Sequence, residues 1–306
     1  MVALFAPTAS FAQSDVAGAL HVLRSSLNRD ERVRALSFLR EQEHLPATAG
    51  FELGRAILCG GDESGYAVDA LARLGDAAIP IVAKLVEDRS LDTQMRASYV
   101  LTRLRNPTEQ TFLRSIRPIL DRHPASERFP GILALSAFPL NPASAASLTR
   151  EQLNDSSYTS KLGGAVLVAR RAADPDLFRE MQTSSYATIR YAGASYAEEL
   201  RRQRMATHKV VEPPLPPEEV TRRAEIEKQL QALALAALPE CLKFLSTAHD
   251  PHEKLCLLHC LRFIYPRVES ERVSIAQSLR ALRVVRGSLL DTEIQQWLID
   301  YLERSK

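Results

Sequence analysis

Glycine is scarce in this chain, at 12 of 306 residues, about 4% where folded proteins carry about 7%. That argues against architectures built on many tight turns and phosphate-cradling loops. No apolar run reaches the roughly 18 residues a membrane-spanning helix needs, so no span is expected. An excess of one charge is also missing. Lys and Arg number 39 against 37 Asp and Glu, a net +2, too even a balance to announce a nucleic acid or an acidic surface as partner. Four cysteines, Cys59, Cys241, Cys256 and Cys260, are too few for a disulfide-framed scaffold in a chain of this length. The short enzyme signatures are absent: G-x-G-x-x-G, G-x-x-x-x-G-K-[ST], H-E-x-x-H, G-x-S-x-G, C-x-x-C and the EF-hand loop. The expectation is a protein that is not an enzyme and carries neither cofactor nor metal.

What is present is ordinary folded composition, 45% hydrophobic and 25% charged. The chain begins MVALFAPTASFA, in which Ser10-Phe11-Ala12 has the small-x-small form of a secretory cleavage site, and polar sequence starts abruptly at Gln13. A positive n-region is missing and the stretch is short for a signal peptide. Two readings stay open, the end of a longer signal peptide and a loose apolar N-terminus. The abrupt change favours export or the periplasm over the cytoplasm. Either way, residues 1–14 are set apart from the fold.

From there on a unit of about thirty residues recurs: a polar turn, then a helix with small and apolar residues at helical spacing. Asp30-Glu-Arg-Val-Arg-Ala-Leu, Asp62-Glu-Ser-Gly-Tyr-Ala-Val, Asp92-Thr-Gln-Met-Arg-Ala-Ser and Asp250-Pro-His-Glu-Lys-Leu-Cys open four copies. Looser copies open near Ser126, Ser156 and Ser184. The opening Asp or Ser is expected to cap its helix, and Arg34, Arg96 and Lys254 stand four residues on, where an acid–base pair spans one turn. Each second half is another apolar helix, clearest at Ala77-Ala-Ile-Pro-Ile-Val-Ala-Lys-Leu-Val-Glu after the break at Leu74-Gly75-Asp76. Pro80, Pro118 and Pro239 are each expected near the start of such a helix, where a missing N–H costs least.

The run from Ala70 to Asp88, with the Asp-x-x-Met/Val-Arg-Ala openings at Asp30 and Asp92 and the segment from Asp250, resembles the HEAT repeat of the short bacterial kind, also called the phycobilisome-lyase HEAT-like repeat. The resemblance covers about 28–105 and 237–265, is weak over 106–200 and absent over 203–225. It implies an all-α fold, an α-solenoid of antiparallel helix pairs in a right-handed superhelix, with roughly seven to nine pairs. It also implies a scaffold or adaptor that presents a surface for protein–protein interaction. Two alternatives remain, an accessory subunit of a lyase-type enzyme and nucleic-acid binding through arginine clusters. The proline-rich stretch THKVVEPPLPPEE reads as a stiff linker over 206–219. It would divide a solenoid over 15–205 from a second segment over 220–306, whose helix from about Val220 to Ala237 is strong. The last helix, with Ile294, Trp297, Leu298, Tyr301 and Leu302 on one face, is expected to cap the stack.

Candidate sites are few. His252, Cys256 and Cys260 fall on one helical stripe, with His259 alongside. They read as core packing, because free cysteine behaves as a small hydrophobe there; a zinc site would need a further helix to complete it. Arg201, Arg202 and Arg204 form one basic cluster. Arg280, Arg283 and Arg286 form another, expected along one side of a helix and beside Glu269 and Glu271. Tyr186, Tyr191 and Tyr196 precede the first cluster. Tyrosine and arginine are the residue types enriched at interfaces, so an unidentified protein partner is assigned to Tyr191, Arg201, Arg202, Arg204, Arg283 and Arg286.

Overall fold

A computed structural model describes residues 16–122, 128–206, 216–286 and 288–299. Among them the chain is all helical, with sixteen α-helices and no strand. Consecutive helices pack on one another as in a helical repeat, compatible with an α-solenoid. No described helix is long and apolar enough to cross a membrane. The chain divides into two compact units, Met1–Ile116 and Arg117–Lys306.

The first unit holds α1 (Val16–Ser25), α2 (Arg29–Glu41), α3 (Ala49–Cys59), α4 (Gly61–Ala72), α5 (Ile79–Val86) and α6 (Leu91–Arg103). They pack pairwise, α1 with α2, α3 with α4 and α5 with α6. Helices α2, α4 and α6 lie side by side as one layer, and α1, α3 and α5 as the other. The starts of α2, α4 and α6 at Arg29, Gly61 and Leu91 reproduce the thirty-residue spacing of the sequence. Leu36, Leu39, Leu53, Ile57, Leu71 and Ile79 fill the space between the layers and are fully buried. A single residue, Gly60, turns α3 into α4 with φ at +78°, a value that favours glycine.

The expected caps are displaced. Helix α2 is capped by Asn28, which accepts from the Asp30 amide, and α6 by Ser90, which accepts from the Thr93 amide; Asp30 and Asp92 lie inside the first turn, where their charge suits the helix N-terminus. Of the three acid–base pairs expected across a turn, only Asp92–Arg96 forms, at 2.6 Å. Arg34 reaches the Asp30 backbone carbonyl instead, and Lys254 donates to the carbonyl of Arg283. Asp250 does cap its helix, accepting from His252 and Glu253. Repeats are tied together at one-repeat separation by Arg32–Glu63, Arg103–Asp69 and Arg24–Glu52. The break at Leu74–Asp76 forms a short 3-10 turn, Gly75–Ala78, whose Asp76 carboxylate accepts from both the amide and the hydroxyl of Thr108.

Helix α7 (Glu109–Leu120) contains the boundary between the units. The second unit continues with α8 (Phe129–Ala137), α9 (Pro142–Leu153), α10 (Tyr158–Gly163), a π-helical turn Gly164–Val168 and a 3-10 turn Ala169–Arg171. It then runs through α11 (Pro175–Gln182), α12 (Ala187–Ala206), α13 (Pro217–Thr247), α14 (Pro251–Ile264), α15 (Arg272–Arg280) and α16 (Leu289–Trp297). Helices α11 to α14 pack in succession. In addition α14 returns to pack on α8 and α10, so this unit is closed by contacts between chain segments about a hundred residues apart, Cys256 reaching the Thr159 carbonyl at 4.0 Å.

Several expectations change here. Pro80 stands in the first turn of α5 as expected, but Pro118 and Pro239 lie inside α7 and α13. Both prolines are exposed, and so are Arg114 and Leu235 four residues before them. The carbonyls they leave without a donor therefore lie on a side open to water, which softens the cost of an internal proline. For this reason the two helices expected around Ala237 are one helix of 31 residues. That helix begins at Pro217, inside the expected linker; residues 207–215 of the linker lie outside the described ones. Helices α12 and α13 pack together across it, and the division between compact units falls at 116/117 instead of 206–219. Helix α16 buries Ile294 and Trp297, and the residue that follows it, Leu298, is buried as well. Tyr301 and Leu302, the opening near Ser126 and the N-terminal segment 1–14 lie outside the described residues.

Candidate functional site

The layer formed by α2, α4 and α6 carries an open groove of about 600 Å³. Helix α6 supplies Arg96, Tyr99 and Arg103, three and seven residues apart and so on one stripe. Helix α4 supplies Gly65, Tyr66 and Asp69, α2 supplies Arg40, and buried Ser64 and Val68 also line it. The Arg40 guanidinium stands 5.0 Å over the Tyr66 ring, an arrangement that keeps both flat surfaces in place. Arg103 bridges α6 to α4 through Asp69 at 2.8 Å. Tyr99 is 51% exposed. Arg96 meets Asp92 through one nitrogen at 2.6 Å, while its other terminal nitrogen, Nη1, is buried with no hydrogen-bond partner among the described residues.

Gly65 is the least expected of these residues. It stands in the body of α4, where glycine costs about 0.5–1 kcal/mol against alanine. Nothing in the fold requires it: a Cβ built there meets no atom within 4 Å. The groove thus offers guanidinium groups, tyrosine faces and an uncovered stretch of helix backbone. Its one carboxylate, Asp69, is held by Arg103.

The arginine clusters of the second unit are held differently. Arg201 bonds Glu198 through two nitrogens at 2.8 and 2.9 Å and reaches Glu219 at 2.8 Å, and Arg202 bonds Glu198 at 2.8 Å. Glu198 is almost fully buried, and its two arginines hold its pKa down to about 2. These side chains join α12 to α13 and are neutralised by carboxylates that stand far away in sequence or on the same helix. Arg204 is exposed near the end of α12.

Tyr191 is fully buried, with its hydroxyl accepting from Arg267 at 2.8 Å and its ring 5.2 Å from Phe263; it presents no surface to a partner. Tyr196 is buried too, donating at 2.5 Å to the Val166 carbonyl that the π-helical turn leaves accessible. Tyr186 packs half-buried against Tyr158. Arg283 and Arg286 are exposed, but α15 ends at Arg280, so the second cluster does not share one helix side; Val284 and Val285 interrupt the pattern. Cys256 and Cys260 are fully buried core residues, and His252 turns its Nδ1 to Asp250 at 3.1 Å.

The structure therefore does not gather the six assigned residues into one place. The groove it does show was not singled out from the sequence, although one signal was present: Arg96, Tyr99 and Arg103 repeat the Tyr and Arg composition of interfaces at helical spacing.

No family model matches the chain, and no curated protein matches it. Among solved structures, one engineered protein is 15% identical, with 83% of this chain and 99% of that one covered at a TM-score of 0.30. A second engineered protein is 12% identical, with 93% and 88% covered at the same TM-score. Likeness at that level bears on neither fold nor function.

Proposed function

We propose that this chain is a non-enzymatic scaffold or adaptor that holds a protein partner on the α2–α4–α6 face of its first unit. The observation that supports this reading is the groove of about 600 Å³ lined by Arg40, Tyr66, Arg96, Tyr99 and Arg103. Arginine and tyrosine both give broad contact area with a polar tip, and tyrosine does so at little cost in ordering. Stacked helices present such a face ready-made. The carboxylates that neutralise Arg201 and Arg202 count against a phosphate-binding role for that cluster.

Site-specific photocrosslinking in the cells of origin tests the reading. A benzoylphenylalanine at Tyr99 is expected to give a discrete protein adduct. The same residue at Phe51, which is 67% exposed on the other layer, is expected not to give that adduct. No adduct at 99, or the same adducts at both positions, removes the proposal.

A further inference from the structure

Resting on that reading, we infer that the groove takes an extended acidic segment of its partner, laid over Gly65 with its carboxylates on Arg96 and Arg103. Donor capacity is the first argument. Each guanidinium that lines the groove meets one carboxylate, Arg40 on Glu41, Arg96 on Asp92 and Arg103 on Asp69, and Arg96 and Arg103 do so through a single nitrogen. A planar guanidinium has five donors arranged to match a carboxylate in two-point contact, so Arg103 keeps capacity for a second acid.

Arg96 is the second argument. Its Nη1 is buried without a partner, and leaving such a donor unmade is costly. A small outward turn of this side chain into the groove that it lines lets the nitrogen meet a carboxylate brought by the ligand. The bound state satisfies what the free protein leaves unsatisfied.

Gly65 is the third. The space above it is open, and a helix backbone bare of side chains is what a close-running peptide needs. Arg96 and Arg103 stand seven residues apart on α6, about 10 Å at 1.5 Å per residue. An extended peptide covers that distance in about three residues. Acids two to four residues apart therefore match the two guanidinium groups, and Tyr66 and Tyr99 flank the apolar side chains between them.

The test uses the purified full chain on an array of dodecapeptides in which two glutamates step through a Leu/Ser background at spacings of one to six, with a parallel array carrying lysines. Retention is expected on glutamate spacings of two to four. It should fall at least tenfold for Gly65→Leu and for Arg96→Gln and stay within twofold for Gly65→Ala, all with intact thermal transitions. Tyr99→Ala serves as a second groove variant should Gly65→Leu fail to fold, and the same loss is expected of it. Equal retention on lysine peptides, no retention, or retention unchanged by the groove variants overturns the inference. Stronger binding of a twelve-residue oligothymidylate than of any peptide also overturns it, in favour of a nucleic acid. A crosslinked adduct at position 99 without acidic-peptide retention overturns this inference alone and leaves the docking surface standing, whereas no adduct at 99 removes both.

Discussion

At Gly75 the backbone holds φ at +56°, and a Cβ would stand 2.8 Å from the carbonyl oxygen of Arg105. An alanine there meets both an unfavourable left-handed conformation and a backbone atom that cannot step aside. Gly75→Ala is therefore expected to lower stability by about 1–2 kcal/mol or more, seen as a lower urea midpoint. Gly65 has neither constraint, so Gly65→Ala is expected to raise stability by about 0.5–1 kcal/mol; a fall would show that the helix needs this glycine for itself. His259 shows how burial sets a pH response. Removal from water, with the Arg262 charge beside it, holds its pKa down to about 4, against a weaker upward pull from Glu293. The unfolded value is about 6.5. Between the two, the unfolded chain binds more protons than the folded one, so stability falls as pH drops from 6.5 and the loss is complete below 4, on the order of 3 kcal/mol. Glu198 loses its contribution in a lower window, from its ordinary carboxylate range down to about 2. Urea midpoints across pH 7 to 4 for the parent and His259→Leu check this: the variant is expected to show a flatter slope, and an equal slope would place the titration elsewhere. The sequence marks Gly75 as a break and His259 beside the cysteine stripe, but not the Arg105 carbonyl or the Arg262 charge that set their behaviour, because only folding brings those near.

The helices were more legible than their ends. The period of about thirty residues placed α2, α4 and α6 correctly, since it records how often an apolar face must recur to meet its neighbour. The caps were read two residues late at Asp30 and Asp92, because Asn28 and Ser90 offer a side-chain oxygen two residues earlier and the acids serve equally well inside the first turn. Prolines misled at 118 and 239, where the exposed side of a helix tolerates what its buried side would not. The least legible device is the start of α12. The Glu240 carboxylate, seven residues before the end of α13, accepts from the amides of Ala187 and Thr188 at 2.9 and 3.1 Å, from the Thr188 hydroxyl at 2.8 Å and from Tyr158 at 3.1 Å. Glu240→Ala leaves these four donors unmet and is expected to cost about 1–3 kcal/mol. Amide exchange in the first turn of α12 should quicken in that variant, with Glu240→Gln intermediate. Unchanged exchange would mean that water replaces the carboxylate. Interface composition was legible at Arg201 and Arg202, as was Glu198 close before them on the same helix, but not Glu219 and Glu227, which α13 brings from beyond the proline-rich stretch.

At the scale of the whole chain the two units are built on different principles. The first follows the repeat: its ties run mostly between one copy and the next, about thirty residues on. The second closes on itself, with α13 and α14 packed against α8, α10 and α12. Removing everything after residue 206 is therefore expected to leave residues 16–116 resistant to brief proteolysis while 117–206 is degraded. Survival of both would show that α8 to α12 form a core alone. The closed second unit also bears on how the protein is made. Tyr158 must wait for Glu240, 82 residues later, an interval of about 4–16 s at a translation rate of about 5–20 residues per second. During that time the first unit is already complete outside the ribosome, whereas α8 and α10 lie on a nascent chain whose later partner α14 does not yet exist. The unit that carries the groove is thus expected to mature early, and the second unit to stay open to chaperones until α13 and α14 have emerged.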